Sequence, residues 1–140
     1  MPHTRKTLML DYNWDICLEP AEDHVVYDAK GTEIRREPRR RIRVVDGGYA
    51  TAQNVANECR LFTNDAYFAQ ERGIPYYLIA LGRKLSPSVL RARLRDAALL
   101  VDDVAEVTDI ILESFDTETR KVTGDIQFTS KEGEHASVEL

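Results

Sequence analysis

Apolar and polar positions change period several times along the chain. Leu8, Leu10, Tyr12, Trp14, Ile16 and Leu18 share one parity, while Asp11, Asn13 and Asp15 take the other. That is the period of a half-buried strand. Asn and Asp favour turns, so Asp11-Tyr12-Asn13 offers a point at which the run divides in two. Val25-Val26-Tyr27 predicts a second short strand. Asp28-Ala29-Lys30-Gly31 then predicts a turn, with Gly31 supplying positive φ.

Residues 33–43 break the pattern. Arg35, Arg36, Arg39, Arg40, Arg41 and Arg43 crowd around Pro38. Proline removes a backbone donor and bars a central strand. The segment predicts an exposed loop or hairpin that resumes as a strand over 42–45 and is closed by Asp46-Gly47-Gly48.

The period then lengthens. Ala52, Val55, Ala56, Cys59 and Phe62 follow helical spacing and give one apolar stripe on a helix over about 49–62. Residues 66–75 form an aromatic loop, followed by a short helix from Pro75 to Leu81 with proline in its first turn and Gly82 as its stop. Ser86-Pro87 is a cap with proline at the first helical position. That helix runs to about Leu100 and buries Leu90, Leu94, Ala97 and Val101. Two strands follow, about 104–115 and 120–129, with Val122, Gly124, Ile126 and Phe128 inward on the second, making a hairpin. Ser130 to Leu140 is polar and predicts a mobile tail.

The order strands, helices, strands implies an α+β fold, an antiparallel sheet with helices packed on one face. At 140 residues the chain predicts a single domain. Within it, 1–48 holds N-terminal strands and the arginine-rich segment, 49–129 the α+β core, and 130–140 the tail.

Composition narrows the chemistry. No apolar run approaches the ~20 residues that span a bilayer, and Leu8-Met9-Leu10 is too short for a signal peptide; both point to a protein kept in a cytoplasm, without a membrane partner. Cys17 and Cys59 have no metal-ligand spacing and read as small buried hydrophobes. His3, His24 and His135 are scattered, with no carboxylate on a shared helix face. No nucleophile elbow or phosphate-cradling glycine loop is present. These patterns predict no enzyme, no cofactor and no metal. Glu71, in the aromatic loop, is the one acid set apart by its position; a glycosidase would need a second carboxylate across a cleft.

The arginine cluster admits three readings: a solvated hairpin tip, a contact of Arg39, Arg40 and Arg41 with an acidic protein, or a phosphate-binding patch. The net charge of −5 and the absence of interleaved aromatics weigh against nucleic acid.

From residue 51 onward the chain resembles a known family. Ala52-Gln53-Asn54-Val55-Ala56-Asn57-Glu58-Cys59-Arg60-Leu61-Phe62 is similar to its first helix, and Arg72-Gly73-Ile74-Pro75-Tyr76-Tyr77, then Leu81-Gly82, to the loop and short helix that follow. Helix 87–101 and the Val104–Phe128 hairpin complete the pattern, while 33–43 looks like an insertion. The family is that of the baseplate wedge, or sheath-initiator, proteins of contractile phage tails, with relatives in T-even and Mu-like phages and in type VI secretion baseplates.

The resemblance implies a virion protein of the tail baseplate, assembled in the host cytoplasm. Its implied partners are the helical core bundle of the baseplate wedge and the tail sheath subunits. An edge strand of the final hairpin (Val122, Ile126, Phe128) would accept a strand from another chain. Tyr67, Phe68, Tyr76 and Tyr77 would anchor a helical partner, with Glu71, Arg72 and Pro75 beside them; alternatively the aromatics fill the core beneath the loop. Two rival functions remain: a small nucleic-acid-binding module and a cell-wall hydrolase.

Overall fold

The computed structural model describes residues 6–11, 13–79, 86–116 and 121–140. They form an α+β structure in two compact units, Lys6–Val45 and Asp46–Leu140.

Unit Lys6–Val45 is all strand and turn. β1 (Thr7–Leu8) pairs antiparallel with β4 (Val44–Val45), and β2 (Leu18–Tyr27) with β3 (Glu33–Ile42). The alternating run 8–18 does not continue as one strand. Asp11 folds it over, because its Oδ1 accepts from the N–H groups of Asn13 (2.8 Å) and Asp15 (3.0 Å). Asp28 uses the same device at the opposite end, accepting from Lys30 and Thr32 at 2.8 Å each. Gly31 beside it stands at φ 81°, where a side chain would be strained.

Of the loop and the hairpin that the sequence allowed, the arginine-rich segment is part of a hairpin: a full, exposed strand whose partner extends from Leu18 instead of beginning at Val25. Pro38 is accommodated where the register slips between Ala21 and His24, on a ribbon with no central strand to disrupt. Cross-strand charge supports the ribbon: Arg41 Nε donates to Glu19 Oε1 at 2.6 Å. Arg36 bonds Glu33 through two nitrogens at 3.0 Å. That hydrogen bond holds the Glu33 carboxyl below its usual range and raises the Arg36 guanidinium.

Unit Asp46–Leu140 holds the core. α1 (Gly47–Arg60) starts and ends about two residues earlier than its apolar stripe predicts, and buries Ala50, Thr51, Val55, Ala56 and Cys59. α2 (Tyr76–Ile79) is one turn; the predicted stop at Gly82 lies outside the described residues. α3 (Pro87–Leu99) begins after Ser86 with proline in its first turn and buries Leu90, Leu94, Ala97 and Ala98.

β5 (Val104–Asp116) and β6 (Lys121–Ser130) form the predicted hairpin. The segment expected to be a mobile tail is instead β7 (His135–Glu139), antiparallel to β6, with Val138 buried. The sheet order is β5-β6-β7. α3 packs over β5, α1 over β7, and α1 against α3. Phe128, Ile74, Leu94, Ile126, Val55 and Cys59 are the largest fully buried side chains. Each apolar side chain of that size, fully buried, contributes about 1.5–3 kcal/mol.

Gly124 marks the tightest point of the sheet. A Cβ there would lie 2.2 Å from the Ile111 carbonyl oxygen, beside the register slip between Leu112 and Ser114. Gly124→Ala is therefore expected to lower unfolding free energy by about 1–3 kcal/mol, the range of overpacked interiors. Urea unfolding followed by circular dichroism checks this; an unchanged midpoint would show that the strands part freely.

Candidate functional site

Three surfaces bring together or separate the residues singled out from sequence. The first is the loop between α1 and α2. α1 ends where Leu61 turns into extended backbone. Phe62 and Ile74 then form a parallel bridge, Ile74 N–H donating to Leu61 O at 2.8 Å and Thr63 N–H to Ile74 O at 3.2 Å. Asn64 N–H donates to Gln70 O at 3.0 Å. Gly73, at φ 99°, comes so close that a Cβ would sit 2.6 Å from the Phe62 carbonyl. The loop is thus closed by its own backbone, as compact surface loops are.

Side chains fasten it from below. Arg72 Nη2 donates to Glu58 Oε1 on α1, and the Tyr76 hydroxyl to the Cys59 carbonyl. The Phe62 ring lies 4.8 Å from Tyr76 and 5.3 Å from Tyr77. Burial raises the Tyr76 phenol to about 12, reinforced by Cys59. It also raises the Cys59 thiol to about 12, with the Glu58 carboxylate adding to it.

The expected contact set therefore divides. Arg72, itself exposed, and half-buried Tyr76 are tied to α1, and half-buried Pro75 leads into α2. Tyr67 and Phe68 stand at the tip, 81% and 98% exposed, ring against ring edge-on at 5.0 Å. Tyr77 and Leu78 are exposed beside α2. Leu78 was not singled out from sequence, since a one-turn helix has too few positions to show a stripe. Glu71 is exposed and makes no hydrogen bond or ion pair among the described residues.

The second surface is the sheet edge. Ile126 and Phe128 are buried, and β6 is paired on both sides from Asp125 to Thr129, so β6 is not an edge. Val122 lies beyond the end of β7. The expectation that these three form a strand-accepting edge is corrected by β7, which occupies that edge. The open edges are those of β5 and β7, and they differ. Ser130 N–H donates to Glu134 O, and Leu140 N–H to Gly124 O, both at 2.8 Å. In that register the N–H groups of His135, Ser137 and Glu139 point away from β6, on a strand without a bulge. On β5 the register slips three times, and the outward N–H of Ile110 is capped by Asp109 Oδ1 at 2.7 Å. Bulges and side-chain caps blunt an edge. β7 is the edge left unblunted.

The third surface is the ribbon. Arg35 pairs with Glu37, Arg36 with Glu33 and Asp23, and Arg41 and Arg43 with Glu19. The side chains of Arg39 and Arg40 make no ion pair or hydrogen bond among the described residues. No group of three or more His, Cys, Asp or Glu side chains among the described residues is placed to hold a metal ion.

A family model described as contractile injection system sheath initiator matches residues 24–133. The matched span runs across the arginine-rich strand. No curated protein matches the chain.

Glu58 Oε2 is buried without a hydrogen-bond partner among the described residues, so Arg72 carries the compensation of this carboxylate. Arg72→Ala is expected to cost about 1–3 kcal/mol, the cost of an unanswered buried polar group, and Glu71→Ala less than about 0.5 kcal/mol; paired urea titrations check the difference. Cys59 and Tyr76 ionise later folded than unfolded. Their contribution is complete below the unfolded-state values, and is lost as pH rises from about 9 towards about 12. A thiol reagent at pH 8 should modify half-exposed Cys17 promptly and Cys59 only on unfolding.

Proposed function

This chain belongs to the contractile injection system sheath initiator family, and from that premise we propose how it serves assembly. It is a structural component of a contractile injection system. We place it in the baseplate of a contractile phage tail, assembled in the host cytoplasm, where it docks on the helical core bundle of the wedge and offers a platform for the first sheath ring. The role is one of lending surface, not of transforming a molecule.

The observation that carries this reading is the unequal pair of sheet edges. An added strand is held by backbone hydrogen bonds, which every sheath subunit can supply whatever its side chains. β7 offers three outward N–H groups in register, whereas β5 is bulged and capped. The sheath strand is therefore assigned to β7.

The loop suits the other contact. Phe68 and Tyr67 are large, exposed and fixed on a backbone-closed loop, so little conformational entropy is lost when a helix packs on them. Buried aromatic anchors dominate interface energetics. Tyr77 and Leu78 extend the apolar surface along α2.

Two variants separate the contacts. Tyr67→Ser with Phe68→Ser should leave stability within about 0.5 kcal/mol and abolish entry into the reconstituted wedge complex, read by co-purification with the core-bundle proteins. Ser137→Pro removes an outward N–H while leaving the β6 ladder intact, which edge strands tolerate. It should enter the wedge and fail to seed sheath polymerisation, scored by electron microscopy. Normal wedge entry by the first variant, or normal sheath growth on the second, would reject the corresponding contact.

A further inference from the structure

No described residue of the unit Lys6–Val45 is buried. A two-stranded ribbon is at best marginally stable in water unless something covers it. Cross-strand partners share a face, as do residues two apart. Leu18 faces Ile42, and Pro20 faces Arg40. Arg43 N–H donates to Cys17 O at 2.9 Å, and beyond that pair Met9 enters between the strands, so that Ile16 bridges Leu10 and Val44 pairs with Leu8, two residues from Leu10 on the same face. One face therefore carries Leu8, Val44, Ile16, Ile42 and Leu18 in a continuous stripe, each 44–55% exposed, and the stripe ends at Arg40. Contiguous exposed apolar surface of this kind marks an interaction site.

We propose that this face binds an extended, apolar segment of a partner protein that carries a carboxylate, the apolar side chains covering the stripe and the carboxylate taking Arg40. The charge decides the partner. Arg35, Arg36, Arg41 and Arg43 already have carboxylates beside them; Arg40 has none among the described residues. The face itself offers no carboxylate among the residues of the stripe, so pairing it with a second copy would leave Arg40 unanswered. Nucleic acid is disfavoured because a phosphate backbone seeks a row of free cations, and Glu19, Glu33 and Glu37 lie among these arginines. The site is independent of the sheath and wedge contacts, and either reading can fail alone.

The test uses the full-length chain and a labelled peptide of alternating glutamate and valine, with a lysine–valine peptide and a DNA duplex as comparators, followed by fluorescence anisotropy. The glutamate–valine peptide is expected to bind most tightly. Arg40→Ser and Ile42→Ser should each weaken it about tenfold or more, the scale of one charge-assisted hydrogen bond or one buried aliphatic side chain. Arg41→Ser, whose guanidinium is held by Glu19 on the opposite face, should change it less than about twofold. Circular dichroism verifies that each variant is folded. The proposal is overturned by absence of binding, by preference for DNA or the lysine peptide, by indifference to Arg40→Ser, or by sedimentation showing that the chain covers this face through self-association.

Discussion

A backbone N–H at a sheet edge is a strong donor with a fixed direction, and its partner must come from outside the sheet. In this protein that constraint falls on β7. Its neighbour β6 is satisfied on both sides, and β5 has spent its edge on bulges and on the Asp109 cap over Ile110. What remains is one clean row of donors on a strand whose opposite face is anchored in the core through Val138. The proposed platform role needs such an asymmetry. With two receptive edges the same chain would propagate sheets in both directions; with one, addition has a defined start.

The rest of the unit Asp46–Leu140 holds that edge in place. Ile126 and Phe128 bury β6 in the core, α3 packs over β5 and α1 over β7, and Gly124 lets β5 and β6 approach more closely than any side chain would permit. The loop after α1 follows the same logic on a smaller scale. Gly73, the Arg72–Glu58 pair and the Tyr76 bond to Cys59 fix its base, so that Tyr67 and Phe68 can stand in solvent without collapsing. Groups that hold and groups that reach out alternate along a dozen residues.

That alternation explains what could be read from the sequence and what could not. α1, α3 and the β5–β6 hairpin were legible because each carries several large apolar residues at one period. β7 was not: only Val138 is both large and buried, and one residue sets no period. The length of β2 was hidden by four poor strand formers: Glu19 and Pro20, held by pairing with Arg41 and Arg40, and Glu22 and Asp23, which fall in the register slip. Among the aromatics, sequence placed the rings around one loop but did not show which of them turn inward. Tyr76 and Tyr77 are adjacent and alike; only the Cys59 carbonyl decides that the first is a strut. Likewise Glu71 and Arg72 read from sequence as neighbours in one contact surface, yet Arg72 reaches Glu58, fourteen positions back on α1.

Hydrogen exchange on the free chain and on the chain bearing its first sheath ring measures the receptive edge most directly. The amides of His135, Ser137 and Glu139 should exchange quickly in the free chain and become strongly protected once sheath is added, while Ile110 changes little. A sheath ring that forms with those three amides still exchanging freely would contradict the account.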